Sequence, residues 1–128
     1  MKVNELRIGN WYNHLGEFKQ VTPNTILEVW EAQRQWCKPI PLTPEILEKA
    51  GFKDDGSGSG WYMLNYFTDC ELTAEVMCLQ VNTISFRCAI SDTDYDSAPS
   101  MTAIRMNYVH QLQNLYFALT GEELNINL

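Results

Sequence analysis

The amino-terminal part of the chain alternates apolar and polar residues, a pattern typical of strands with one buried face. Residues 5–12 alternate in this way, with Leu6 and Ile8 on one face. A second strand is indicated around Phe18, and the β-rich residues 26–32 predict a third. We therefore expect the chain to begin like a small SH3-like half-barrel.

The clearest helix signal covers residues 44–50. Thr43 is a good N-cap residue, and Pro44 suits the first helical position. Gly51 can adopt the left-handed conformation that ends a helix, and Phe52 is placed to contact the last turn. Signals at both ends thus predict one short central helix.

The middle of the chain indicates further strands of an antiparallel sheet. These are predicted at residues 61–68, 72–80, 83–90 and 102–106. Within the third of them one face carries Ile84, Phe86, Cys88 and Ile90. Residues 54–60, rich in Gly and Ser, predict a flexible surface loop, and residues 91–100 predict an acidic loop.

A second helix is predicted at residues 108–120, with Asn107 as N-cap and Gly121 as the stop. Its apolar stripe consists of Tyr108, Val109, Leu112, Leu115, Tyr116 and Leu119. Phe117 falls on the opposite face, among His110, Gln113 and Asn114. The alternating tail at residues 124–128 predicts a short edge strand.

The length of 128 residues and a hydrophobic content of 45% fit one globular domain, residues 1–128. Strands that outnumber helices and are joined by short turns predict an α+β fold. That fold would be mostly antiparallel sheet, with the short central helix and one carboxyl-terminal helix.

The net charge of −7 is unevenly distributed. Residues 1–53 sum to +1 and residues 54–128 to −8, and the second part holds two basic residues, Arg87 and Arg105. An acidic surface repels phosphate backbones, so nucleic acid is not an expected partner.

The cysteines and the start of the chain favour a reducing, cytoplasmic setting. Cys37, Cys70, Cys78 and Cys88 form no C-x-x-C pair, and their spacing fits no zinc site. The first residues do not resemble a signal peptide, and no apolar run has the length of a membrane span. No phosphate-binding glycine motif occurs either. From these three absences together we predict no metal, no cofactor and no membrane association.

Three stretches together resemble a family of small proteins found in Bacteroidota genomes and in the phages and mobile elements of those bacteria. They are ELRIGNW (5–11), PIPLTPEILEKAGF (39–52) and YVHQLQNLYFALTGEEL (108–124). The resemblance implies a bacterial or phage intracellular setting. It implies no activity and assigns no catalytic residue.

Two groups of residues are candidates for binding. Trp11 and Trp61 could stack on a flat ligand whose phosphate meets Arg87 or Arg105, although core packing and surface ion pairs are the ordinary roles of such residues. Phe117 either lies under the tail or marks a protein interface or homo-oligomer contact. That interface would also include His110 and Gln113.

Catalytic arrangements are scarce in this sequence. His14 and His110 are the two imidazole bases, and no nucleophile elbow accompanies them. We therefore predict a non-enzymatic binding module of a bacterium or its phage that acts by binding a host protein. The first alternative is a phage protein that sequesters a nucleotide immune signal and so counters host defence. The second is a cysteine-based enzyme that uses Cys37.

Overall fold

The computed structural model describes residues 1–32, 37–54, 56–65, 76–83, 86–93 and 104–128. These residues include both antiparallel strands and helices, which confirms the α+β class. The chain divides into two compact units, so the expectation of a single domain stays a prediction. Unit 1 comprises residues 1–42, 107–126 and 128, and unit 2 comprises residues 43–106 and 127.

Unit 1 begins with a 3-10 helix, Val3–Glu5, and continues into a hairpin of β1 (Trp11–His14) and β2 (Glu17–Gln20). The strand predicted at residues 5–12 is therefore wrong before residue 11. Ile8 is 57% exposed and does not share a buried face with Leu6. The core of this part joins Leu6 to Tyr12, Val21 and Cys37.

The third strand of the predicted half-barrel is a helix, α1 (Pro23–Ala32). The Thr22 hydroxyl accepts a hydrogen bond from the Thr25 backbone N–H at 3.2 Å, and Pro23 occupies the first turn. This is the same start signal as at Thr43–Pro44. The β-branched residues of this stretch favour a strand, but this preference is weak. The cap and the packed face override it and select a helix.

Unit 1 is completed by α3 (Val109–Thr120), which confirms the predicted carboxyl-terminal helix. Gly121 ends it in the left-handed conformation with φ 73°. Tyr108, not Asn107, is the N-cap. The tail forms no strand. Its alternate residues Leu124 and Ile126 are nevertheless buried, as expected for an extended segment with one buried face.

Unit 2 begins with α2 (Pro44–Lys49), which confirms the helix predicted at residues 44–50. The Thr43 hydroxyl accepts from the Ile46 N–H at 3.3 Å. After Gly51, the N–H of Phe52 donates to the Leu47 carbonyl at 3.0 Å, as in a Schellman cap.

The described strands in the rest of unit 2 form a five-stranded antiparallel sheet, in which strands that follow one another in the chain are paired. Its strands, in order, are β3 (Lys53–Asp54), β4 (Trp61–Asn65), β5 (Val76–Asn82), β6 (Arg87–Thr93) and β7 (Ile104–Arg105). The predicted Gly/Ser loop connects β3 to β4, and its residues 56–59 are exposed. Residues 66–68, 72–75 and 102–103 of the predicted strands, and residues 94–100 of the acidic loop, lie outside the described residues. Residues 91–93, predicted as the start of that loop, belong to β6.

The strand predicted at residues 83–90 corresponds to β6, which begins at Arg87. Asn82 and Arg87 are paired across the hairpin, and Thr83 and Phe86, the described residues between them, lie outside the strands. Ile84 lies outside the described residues. Phe86 has φ 42° and so does not continue a strand face. Cys88 is buried, as predicted.

The β1–β2 turn provides a stability test. Leu15 is 88% exposed and has φ 53°, a conformation that costs a leucine strain and suits asparagine. We expect Leu15→Asn to raise the free energy of unfolding by about 1 kcal/mol in urea denaturation. Leu15→Ala keeps the strained β-carbon, so an equal gain from alanine would contradict this explanation.

Candidate functional site

Three of the four predicted ligand-binding residues lie in one row across the sheet of unit 2. Trp61 of β4 pairs with Asn82 of β5, Asn82 pairs with Arg87 of β6, and Arg87 pairs with Arg105 of β7. Residues that are directly opposite on antiparallel strands project from the same face. We call Trp61, Asn82, Arg87 and Arg105 the arginine row.

The arginine row lies on the outer face of this sheet. The opposite face carries the buried residues Tyr62, Leu79, Val81 and Cys88. Along the row, Trp61 and Asn82 are half-buried, and both arginines are exposed. One buried face and one solvent-exposed face are the usual arrangement of an antiparallel sheet, and here the solvent-exposed face carries both arginines.

Arg87 and Arg105 have no ion-pair partner among the residues that the structure describes. Like charges directly opposite on neighbouring strands repel each other. Two adjacent guanidinium groups can instead both donate to one anion, and such charge-assisted hydrogen bonds are stronger than neutral ones. The pair therefore favours a negatively charged group.

Trp11, the fourth predicted ligand residue, belongs to unit 1. Its indole N–H donates to the carbonyl of Ile126 at 3.1 Å, and its backbone N–H donates to Gln113 Oε1 at 2.9 Å. Both donors thus have partners in the protein. Trp11 ties the tail and α3 to the hairpin and is not part of the arginine row.

The three predicted interface residues lie on α3 in unit 1, and two of them are buried. His110 and Gln113 are each 2% exposed, whereas Phe117 is 38% exposed. The Arg7 guanidinium covers the Phe117 ring at 3.8 Å and also pairs with Glu123. On this helix face His110 and Gln113 are therefore buried and Phe117 is partly covered, and the protein interface predicted for these three residues stays a prediction.

The amide side chains of that face explain why it is buried. The Gln113 side chain accepts a hydrogen bond from the backbone N–H of Trp11 and donates one to the Gly9 carbonyl at 3.3 Å. Asn114 donates to the Glu5 carbonyl at 2.9 Å and accepts from the side-chain amide of Asn10 at 3.0 Å. We call Gln113, Asn114 and Asn10 the amide network, since together they satisfy the irregular backbone of residues 5–11.

A cavity of about 410 Å³ lies beside the start of α3. Its lining includes Glu5, Cys37, Lys38 and His110. Neither ring nitrogen of His110 has a hydrogen-bond partner, and the nearest charged group is Glu5, with Oε2 at 3.9 Å from Nε2. Sequence reasoning did not predict this cavity, because its lining comes from the two ends and the middle of the chain.

The electrostatics of the cavity leave both reactive groups uncharged. Burial is the main cause that lowers the pKa of His110, and the Glu5 carboxylate opposes that shift. Burial likewise raises the pKa of the Cys37 thiol. Because His110 accepts no hydrogen bond, the two residues share the cavity without forming the thiol–imidazole contact of a cysteine nucleophile.

Among the described residues, no group of three or more His, Cys, Asp or Glu side chains is arranged to hold a metal ion. Of the helices in the described part, none combines the length and apolar character needed to cross a bilayer. A scan against protein-family models and searches of curated proteins and of solved structures each found no match to this chain.

The amide network can be tested by removing Gln113. Gln113→Ala leaves the Trp11 N–H and the Gly9 carbonyl without their partners. We expect the free energy of unfolding in urea to fall by about 2–3 kcal/mol, because each partly buried orphan group costs about 1–3 kcal/mol. Asn125→Ala, at an exposed position, is the control. A loss no larger than that of the control would contradict the role of the network.

The lowered pKa of His110 predicts a pH-dependent stability. Unfolding restores the ordinary His110 pKa of 6.5. Below that pH the unfolded state therefore binds more protons at His110 than the folded state does. The free energy of unfolding should therefore fall as the pH decreases from about 7 to about 5.5. His110→Phe should weaken this dependence and His14→Gln should retain it. Equal pH dependence in the wild type and in His110→Phe would contradict the prediction.

Proposed function

We propose that this protein is a non-enzymatic binding protein that holds a small nucleotide-like ligand on the arginine row of unit 2. The observation that carries this proposal is the register that places Trp61, Arg87 and Arg105 in one row on the open face of the sheet. A ligand with a flat base and a phosphate matches the two chemistries of that row.

The spacing of the row agrees with such a ligand. Neighbouring strands lie about 4.8 Å apart, so Trp61 is about 10 Å from Arg87 across two strand intervals. An indole provides a stacking surface for any base, worth about 1–3 kcal/mol. The phosphate would bridge the two guanidinium groups and so remove their mutual repulsion.

A binding role is also supported by the chemistry of the cysteines. The pKa of Cys37 is raised, and burial raises the pKa of Cys88 to about 12. A thiol with a raised pKa is mostly protonated at neutral pH and is a poor nucleophile. These observations favour binding over the cysteine-based enzyme.

The biological setting comes from the resemblance to Bacteroidota and phage proteins. In that setting, a cytoplasmic protein that binds a nucleotide without converting it would sequester a signal of host immunity. We propose this role ahead of binding to a host protein, because Arg7 lies over the Phe117 ring, and Gln113 and His110 are buried. Leu27 and Trp30, exposed and three residues apart on α1, are the observation that fits a protein partner.

Thermal denaturation with a panel of nucleotides tests the proposal. The panel includes AMP, GMP, and cyclic mono- and dinucleotides. A ligand present at about 100 times its Kd should stabilise the folded state by about 2.7 kcal/mol and raise Tm by several degrees. In calorimetric titrations, Arg87→Gln and Arg105→Gln should each weaken binding about tenfold or more, since a charged hydrogen bond is worth about 1.5–3 kcal/mol.

Lys49→Gln is the matched control, because it removes one exposed positive charge from α2 in the same unit. It should leave the affinity nearly unchanged. If no nucleotide raises Tm, or if Lys49→Gln weakens binding as much as the arginine variants do, the proposal is wrong.

A further inference from the structure

The cavity of unit 1 is a second candidate binding site, independent of the arginine row. Its volume of about 410 Å³ falls within the range of small-molecule sites, about 300–1,000 Å³. It opens beside the first turn of α3, and its lining includes Lys2, Glu5, Lys38, Tyr108, His110 and Gln111.

His110 is the first indication of a ligand. The side chain is 2% exposed, and both ring nitrogens lack a hydrogen bond. Buried polar atoms in folded proteins nearly always have partners, so a ring with two unpaired nitrogens in a cavity wall requires an explanation. A neutral imidazole can donate one hydrogen bond and accept another.

The charges around the cavity are the second indication. Lys2 and Lys38 contribute two positive side chains and Glu5 one negative side chain. The amino end of α3 adds the positive end of a helix dipole, which favours negative groups. The cavity therefore has an excess of positive charge.

Glu5 shows which anion the cavity accommodates. Its carboxylate approaches His110 Nε2 to 3.9 Å and accepts a hydrogen bond from the Lys2 backbone N–H at 3.2 Å. The Glu5 side chain is 45% exposed, so it can turn outward into solvent if a ligand displaces it. Glu5 thus stands where a ligand carboxylate would stand.

We propose that this cavity binds a small organic monocarboxylate, whose carboxylate replaces Glu5 beside His110 and whose apolar body lies against Pro39 and Tyr108. Lys2 and Lys38 provide the charge that attracts it. Gln111 Oε1 accepts from the backbone N–H groups of Asn107 and Tyr108 at 2.9 and 3.2 Å, which fixes the start of α3 beside the cavity.

Titration of the full chain with benzoate and hexanoate, followed by ¹H–¹⁵N NMR, tests this site. Both carboxylates should shift the amide signals of Tyr108, His110 and Gln111 in a saturable manner, and benzamide, the neutral analogue of benzoate, should not. Lys38→Gln should weaken benzoate binding about fivefold, and Glu5→Gln should strengthen it by a similar factor, as expected for partly exposed charges.

Two variants serve as controls, and the NMR spectrum itself reports whether each variant is folded. Lys19→Gln removes an exposed charge of β2 in the same unit, and Arg87→Gln alters the arginine row. Both should bind benzoate with wild-type affinity. The proposal is overturned if neither carboxylate gives a saturable shift, if benzamide binds as well as benzoate, or if Lys38→Gln and Glu5→Gln leave the affinity unchanged.

Discussion

The structure of unit 1 depends on hydrogen bonds between amide side chains of α3 and the irregular backbone of residues 5–11. That backbone forms neither a helix nor a strand between the 3-10 helix and β1, so its polar groups need partners from elsewhere. Gln113 and Asn114 provide partners for the backbone N–H of Trp11 and for the carbonyls of Gly9 and Glu5. A side-chain amide offers both a donor and an acceptor, which lets one residue satisfy a backbone N–H and a backbone carbonyl at once.

This constraint also organises the surroundings of the cavity. Asn114 binds the Glu5 carbonyl, and the side chain of Glu5 then approaches His110 one helical turn earlier in α3. The hydrogen bonds that anchor the amino-terminal segment therefore also place the carboxylate that opposes the lowered pKa of His110. In unit 2 the comparable constraint is strand register, since a shift by one residue would move Arg87 to the buried face.

The local elements were predictable where their signals lie close together in the chain. The ends of α2 were recognised from Thr43 and Gly51, because a cap forms between residues a few positions apart. At α1 the same Thr–Pro signal competes with β-branched residues, whose strand preference depends on packing, and the helix forms. The positive φ of Phe86 is not predictable from the alternating pattern, because phenylalanine rarely adopts that conformation.

By itself, the sequence determined the α+β class, the two capped helices and the individual residues Trp61, Arg87 and Arg105 as binding candidates. Only the tertiary structure decided that these three share one row, because register follows from pairing between strands that are distant in the chain. It also decided that His110 and Gln113, on the polar face of α3, are buried. Polarity predicts exposure only when no backbone groups nearby need partners, and here residues 5–11 need them.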